Sequence, residues 1–118
     1  MATFGTHLRL TASRELRDTL RDFYRSGLQA AHSSPMPNLD VFRLPDGFQI
    51  GVCFVPDEEA LSPEAAEKGA WLEFVVDDAE ATADRLVALG ARNVQYDDTS
   101  HRYLRAPGGQ IFRLAVVK

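Results

Sequence analysis

Apolar and polar positions change rhythm several times along this chain, and each change marks an element. Residues 4–11 (FGTHLRLT) alternate roughly and favour β-structure, so a strand opens the pattern. Ser13 then suits a helix N-cap. Within 14–26, Leu16, Leu20, Phe23 and Tyr24 fall at i, i+4, i+7 and i+8, the single apolar stripe of an amphipathic helix that Gly27 would stop. The spacing predicts a helix over about residues 13–27. The turn formers SSPMPN read as a loop, after which 39–44 and 48–55 form two strands of a hairpin across Pro45-Asp46-Gly47. Residues 56–69 are acidic, hold two prolines and show no apolar period, so they are expected to be a solvated linker with a short helical turn after Pro63.

The pattern then begins again. Residues 71–76 (WLEFVV) read as a strand, Asp77 and Asp78 cap a helix expected over about 78–90, and Gly90 ends it. Strand segments follow at 93–96, 101–105 and 110–117, separated by a polar turn at 97–100 and by Pro107-Gly108-Gly109. Matching features recur at nearly one offset: 63 from Gly27 to Gly90, 62 from Pro45 to Pro107, and 66 from Leu8 to Phe74. A period slightly over half the length means two copies of one unit, strand, helix and a run of antiparallel strands, neither large enough to bury its face alone.

Composition narrows the class. With 118 residues, 45% hydrophobic, 9% aromatic and 25% charged, the chain is expected to form one soluble domain. The lone Cys53 excludes an intrachain disulfide and favours a reducing compartment. No apolar run approaches the roughly 18 residues of a membrane span, and the opening residues lack a basic, then apolar, leader pattern, so a cytoplasmic protein without a membrane partner is expected. The net charge is -4: six basic against five acidic side chains in residues 1–56, and seven against twelve in 57–118. No basic stripe is present to bind a phosphate backbone, which argues against nucleic acid. The row Arg14, Arg17, Arg21, Arg25 alternates with acids and reads as the wet face of the first helix.

Four segments carry a resemblance to a known family: THLRL, RDFYRSGL, WLEFVVDDAEATADRLVALGA and APGGQIFRL. Together they resemble the vicinal oxygen chelate superfamily, to which glyoxalase I, the bleomycin resistance proteins, methylmalonyl-CoA epimerase and the extradiol dioxygenases belong. The likeness spans essentially the whole chain. It implies an α+β fold of two βαβββ modules, about 1–56 and 70–118, whose curved sheets form a cup holding the ligand. It also implies a divalent ion held by four side chains, at the first and last strand of each module. Those positions fall on Trp71 and Arg113 in the second module and on Gly51 in the first. The fourth falls on Gly5 or, after a two-residue slip that preserves the face, on His7. One ligand in four survives at best. A guanidinium about 4 Å from a divalent ion would be repelled by roughly 8 kcal/mol at an effective dielectric of ~20, so neither a metal nor another cofactor is expected.

The candidate ligand-binding residues are therefore His7, Trp71, Glu73, Tyr103 and Arg113. His7 and Glu73 are expected at equivalent places on the two first strands, because Leu8 matches Phe74 in the repeat. Arg113 stands among apolar neighbours and needs an anion, either a ligand's or that of Glu73; both readings stay open. Trp71 offers a stacking surface. Tyr103 and Arg105, two apart on one strand, share a face. Cys53 is expected to be buried and inert, and His32 and His101 to lie on the surface. The function expected is binding of a small organic molecule without chemistry, as in the bleomycin resistance branch. A lyase or isomerase that uses His7 and Glu73 as acid and base, or a rebuilt metal site, is the alternative. A homodimer is expected, since pairing removes exposed strand edges.

Overall fold

Ser13 is the point where strand gives way to helix: its hydroxyl accepts the Glu15 amide at 3.3 Å. In the computed structural model, which describes residues 1–117, β1 (His7–Ser13) leads into a 3-10 turn (Arg14–Leu16), then α1 (Arg17–Asp22), then a π-helical turn (Phe23–Gly27). The stripe predicted from spacing is kept through these changes of pitch, and Leu20, Phe23 and Tyr24 are buried. The left-handed residue that turns the chain afterwards is Gln29 (φ 59°) rather than Gly27. Then come β2 (Ala31–Met36), β3 (Leu39–Arg43) and β4 (Gln49–Val55), a 3-10 turn (Asp57–Glu59) and α2 (Pro63–Ala66). The second series is β5 (Leu72–Val76), α3 (Ala79–Ala88), β6 (Arg92–Val94), β7 (Arg102–Arg105) and β8 (Ile111–Val116).

Each series makes one mixed four-stranded sheet, ordered β1-β4-β3-β2 and β5-β8-β7-β6. The first and last strands of each pair in parallel and the rest are antiparallel. The fold is α+β, with two βαβββ modules, and the chain divides into compact units Met1–Ala60 and Leu61–Lys118. α2 thus belongs to the second unit. It is tied there: Glu67, just after α2, pairs with Arg105 at 2.7 Å.

Two departures from the sequence reading have physical causes. The opening strand starts at His7 rather than Phe4, and the stretch read as the loop SSPMPN contains most of β2. β2 is an outer strand, mostly exposed, so it pairs on one side only and needs no apolar alternation. Pro35, which has no amide hydrogen, sits where the β2–β3 register shifts between Ser33 and Met36.

The hairpin turns fix how the two modules correspond. The Gly47 amide donates to Leu44 O and the Leu44 amide to Phe48 O; the Gly109 amide donates to Ala106 O and the Ala106 amide to Gln110 O. Gly47 and Gly109 both take positive φ, 95° and 107°. The last strands are therefore offset by 62. Since Arg9 pairs with Gly51 and Glu73 with Arg113, the first strands are offset by 64 and not by 66. His7 corresponds to Trp71, and Arg9 to Glu73, which corrects the expected equivalence of His7 with Glu73. In both modules the alternate residues, Leu8 and Leu10 or Leu72 and Phe74, lie on the other face with the buried Ile50 and Val52 or Phe112 and Leu114.

Candidate functional site

Pairing across the second sheet sets Glu73, Arg113, Tyr103 and Val94 in one row on β5, β8, β7 and β6. The neighbouring row, Leu72, Phe112, Leu104 and Asn93, points the opposite way. α3 covers that second face: Arg102, which shares it, ion-pairs with Glu80 of α3 and donates to Asn93 Oδ1. The Glu73 row consequently lies on the face away from α3. Tyr103 and Arg105 share that face as expected.

Side chains on this face form one network. Arg113 Nε donates to Glu73 Oε2 at 2.7 Å, and its Nη1 lies 3.5 Å from the Tyr103 hydroxyl and 3.8 Å from Asp98 Oδ2. Tyr103 in turn donates to Asp98 Oδ2 at 2.8 Å. Arg113 thus has the Glu73 carboxylate as a partner within the module. Hydrogen bonds to Tyr103 and Glu73 raise the guanidinium's pKa above its usual value. Asp98 is held well below the ordinary carboxylate range by hydrogen bonds from the Ser100 hydroxyl and amide, then from Tyr103 and His101. It is ionised at any physiological pH.

Beside this network three aromatic rings touch. Trp71 and Tyr96 have centroids 4.6 Å apart, Tyr96 and Tyr103 5.1 Å, and Trp71 and Tyr103 6.0 Å. Trp71 is anchored by its indole N–H, which donates to Glu67 O at 3.0 Å, yet it remains 49% exposed, and Tyr96 36%. Tyr103 is buried beneath them. A cleft of about 470 Å³ opens along β6 and β7, with Tyr96, Asp98, His101 and Tyr103 in its lining. Trp71, Glu73, Tyr103 and Arg113 are brought together as the sequence reading had grouped them. Tyr96 and Asp98 were missed. The turn at 97–100 read only as polar, and nothing local says that its carboxylate swings back onto β7. His7 lies on β1 in the other module, exposed, with Nδ1 3.4 Å from Thr6 Oγ1.

The first module carries its charge on the opposite face. Asp40 on β3 is wholly buried. It accepts from Arg17 Nε and Nη2 (3.2 and 2.8 Å), from Arg21 Nε and Nη2 (2.8 and 3.1 Å) and from Ser34 Oγ (2.6 Å), with His32 Nε2 at 3.0 Å. Burial alone would raise its pKa, but the hydrogen bonds from Arg21, Arg17, Ser34 and His32 outweigh it and hold the carboxyl far below the usual range. The row of arginines is therefore not simply a wet helix face: Arg17 and Arg21 fold onto a buried acid. Nor are His32 and His101 free surface residues, since each faces an aspartate. Cys53 is half-buried rather than buried.

The metal positions implied by the resemblance can be tested on this geometry. Tryptophan and arginine at 71 and 113 offer no lone pair to a cation, and Gly51 has no side chain. The register selects His7 for the fourth place. The donor set does not fit a divalent ion. Among the described residues, no three His, Cys, Asp or Glu side chains stand together as a metal cluster.

Two mixed sheets of this topology, each with its helix on one face, define a glyoxalase-type fold. The sequence profile of the glyoxalase-like domain matches residues 10–115, and the chain belongs to that family, within the vicinal oxygen chelate superfamily. It is similar in structure to the fosfomycin resistance protein FosX of Listeria monocytogenes (TM-score 0.78, 14% identity, covering 100% of this chain and 94% of that one). It is also similar to a glyoxalase-related enzyme from Fulvimarina pelagi (TM-score 0.74, 18% identity, 98% and 89%). A gene product of Arabidopsis thaliana is similar as well (TM-score 0.69, 22% identity, 98% of both chains). A search of curated proteins finds no significant match. Among the described residues, no helix is long and apolar enough to cross a membrane.

Proposed function

We propose that this glyoxalase-like protein binds a small planar organic molecule on the second module, against Trp71 and Tyr96, without the metal ion of its enzymatic relatives. One observation carries the reading: a large aromatic surface is left half open beside a polar network whose own members are already satisfied. Trp71, Tyr96 and Tyr103 support one another as a rigid wall, so little side-chain order would be lost on stacking a ring there. Glu73, Arg113 and Asp98, held by one another and by Tyr103, form the polar edge of that wall. The crystal structure of Listeria FosX with manganese and sulfate concerns a protein only 14% identical, and Trp71, Arg113 and Gly51, where the family resemblance implies metal ligands, do not supply a ligand set. The lyase or isomerase alternative needs Glu73 as a base, whereas Glu73 is engaged by Arg113.

Trp71 is the chain's single tryptophan, so its fluorescence reports on this wall alone. Titration with bicyclic aromatic compounds should give saturable quenching with matching heats in calorimetry, and Trp71→Leu should abolish those heats while the circular dichroism stays unchanged. Heats that persist in Trp71→Leu would overturn the placement. Calorimetric titration of dialysed protein with Mn(II) should show no stoichiometric uptake; uptake of one ion per chain would overturn the metal-free reading.

A further inference from the structure

Trp71 stands outside the hydrogen-bonded part of its strand, since β5 and its pairing with β8 begin at Leu72. Its ring is nevertheless tethered. The indole N–H donates to Glu67 O at 3.0 Å, and among the described residues this is the ring's one hydrogen bond. Its other neighbours are rings: Tyr96, which lies beyond the end of β6 and is itself exposed, and buried Tyr103, which it meets edge-on. Ring contacts let an indole slide and tilt more than a directed hydrogen bond does.

Glu67 is fixed from two further sides. Its amide donates to Pro63 O at 3.1 Å at the end of α2, whose first turn is capped by the Ser62 hydroxyl on the Ala65 amide. Its carboxylate receives Arg105 Nη1 at 2.7 Å, and Arg105 stands on β7 two residues from Tyr103, on the same face. The backbone between Glu67 and Trp71 is pinned as well, because Gln110 Nε2 donates to Ala70 O. One residue therefore joins the strand that carries Tyr103 to the ring of Trp71.

We propose that Glu67 is the positioning residue of the aromatic wall: its carboxylate, locked to Arg105, fixes the backbone carbonyl that holds the Trp71 indole in the pose on which a planar ligand stacks. This rests on the aromatic-wall reading above and adds the device that keeps the wall ready. Glu67 itself touches no ligand. A half-exposed indole released from its acceptor samples several rotamers, and affinity falls with the fraction of time that the ring spends in the wrong ones. Both side chains of the Glu67–Arg105 pair keep contact with water, so salt weakens the pair and, through it, the order of the wall.

Trp71 is the single tryptophan, so its fluorescence reads the device directly. In Glu67→Ala its anisotropy should fall and its quenching by acrylamide should rise, and calorimetry should show quinoline at neutral pH bound several-fold more weakly than by the unaltered protein. Arg105→Ala should match it, and the double variant should add nothing. Glu67→Gln keeps an oxygen for Arg105 and should restore most of the anisotropy. In the unaltered protein, raising salt from ~0.05 M to ~1 M should lower the anisotropy; in Glu67→Ala it should not. Thermal melts accompany each variant. A Glu67→Ala protein that melts earlier but keeps the native anisotropy and quenching would overturn the proposal, leaving the ion pair as a structural tie. A loosened Trp71 with unchanged quinoline affinity would overturn it too. If quinoline bound neither protein while Trp71 still loosened in Glu67→Ala, the binding reading would fall and the hold of Glu67 on the ring would stand.

Discussion

The two modules place opposite charges at one equivalent strand position, and each ties that position to its own helix. Offset by 62, Asp40 on β3 corresponds to Arg102 on β7, and their partners Val52 and Leu114 correspond as well. In the first module the acid is on the strand and its partners Arg17 and Arg21 come from the helical segment; in the second the arginine is on the strand and Glu80 comes from α3. The difference lies in burial. Asp40 is fully enclosed and meets four side chains, whereas Arg102 is 31% exposed and Glu80 71%. A shared architecture fixes where a strand-to-helix tie is useful, but the depth of the position decides whether it becomes a structural keystone or a surface contact.

The largest expected effect is at the buried end of this comparison. Asp40→Ala leaves two guanidiniums facing a wall without an anion and strands Ser34 and His32, and should destabilise the protein by about 3 kcal/mol in urea unfolding. If the loss were as small as that of a surface pair, the contrast between the modules would fail. Acid should expose the same keystone. The folded pKa of Asp40 is depressed, so its contribution is present above the unfolded carboxyl value of about 3.9 and declines as pH falls below it. The stability gap between the native protein and Asp40→Asn should therefore be constant near neutrality and shrink from about pH 5 toward pH 2. A gap that stays constant across that range would show that Asp40 acts through packing and not through charge.

The hairpin glycines sharpen the comparison from a second direction. Gly47 and Gly109 are equivalent, and both sit at positive φ, where an added Cβ is strained. Around Gly47 the nearest obstacle is Arg43 Nη2 at 3.8 Å, but at Gly109 the new atom would lie 2.7 Å from Pro63 Cα and 2.9 Å from Ala66 Cβ. Gly47→Ala should cost about 1 kcal/mol, the backbone strain alone. Gly109→Ala should cost about 2 kcal/mol more, because α2 backbone must move. Equal losses in parallel melts would mean that α2 is not held against the β7–β8 turn.

Local pattern carried most of the fold. The stripe of Leu20, Phe23 and Tyr24, the Asp78 cap on the Ala81 amide and the paired turns were all readable, since each rests on spacing within a few residues. β2 was not, because an edge strand needs neither alternation nor apolar residues. The register was read two residues out: similarity of LRL to FVV fits an offset of 66, while only the pairing of the first strand with the last in each module selects 64. In the candidate site, Trp71 and Arg113 were marked by the family resemblance and Glu73 by its place two residues beyond Trp71, while alternation put Tyr103 with Arg105 without saying which face they share. Asp98 and Tyr96 were not legible, since a loop's side-chain direction is set by tertiary contacts. Asp40 was invisible for a related reason: two arginines in a charged helical row give no local sign that a buried acid lies opposite them.

Arg102 supplies the smallest effect and the cleanest limit on the comparison. Its guanidinium bridges Glu80 of α3 and Asn93 of β6, so Arg102→Ala removes both contacts at once. Yet the carboxylate it leaves is largely exposed and can be rehydrated, and the pair it breaks is screened by solvent. The loss should stay within about 1 kcal/mol, and raising salt from ~0.05 M to ~1 M should reduce the difference from the native protein further. Asp40→Ala should keep most of its larger loss in the same salt series, because the carboxylate its partners share is fully enclosed. If Arg102→Ala instead proved as damaging as Asp40→Ala and equally insensitive to salt, exposure would not be what separates the two ties. The contrast would then have to come from the number of partners, a possibility that Arg17→Ala and Arg21→Ala, each removing one of Asp40's two guanidiniums, would measure directly.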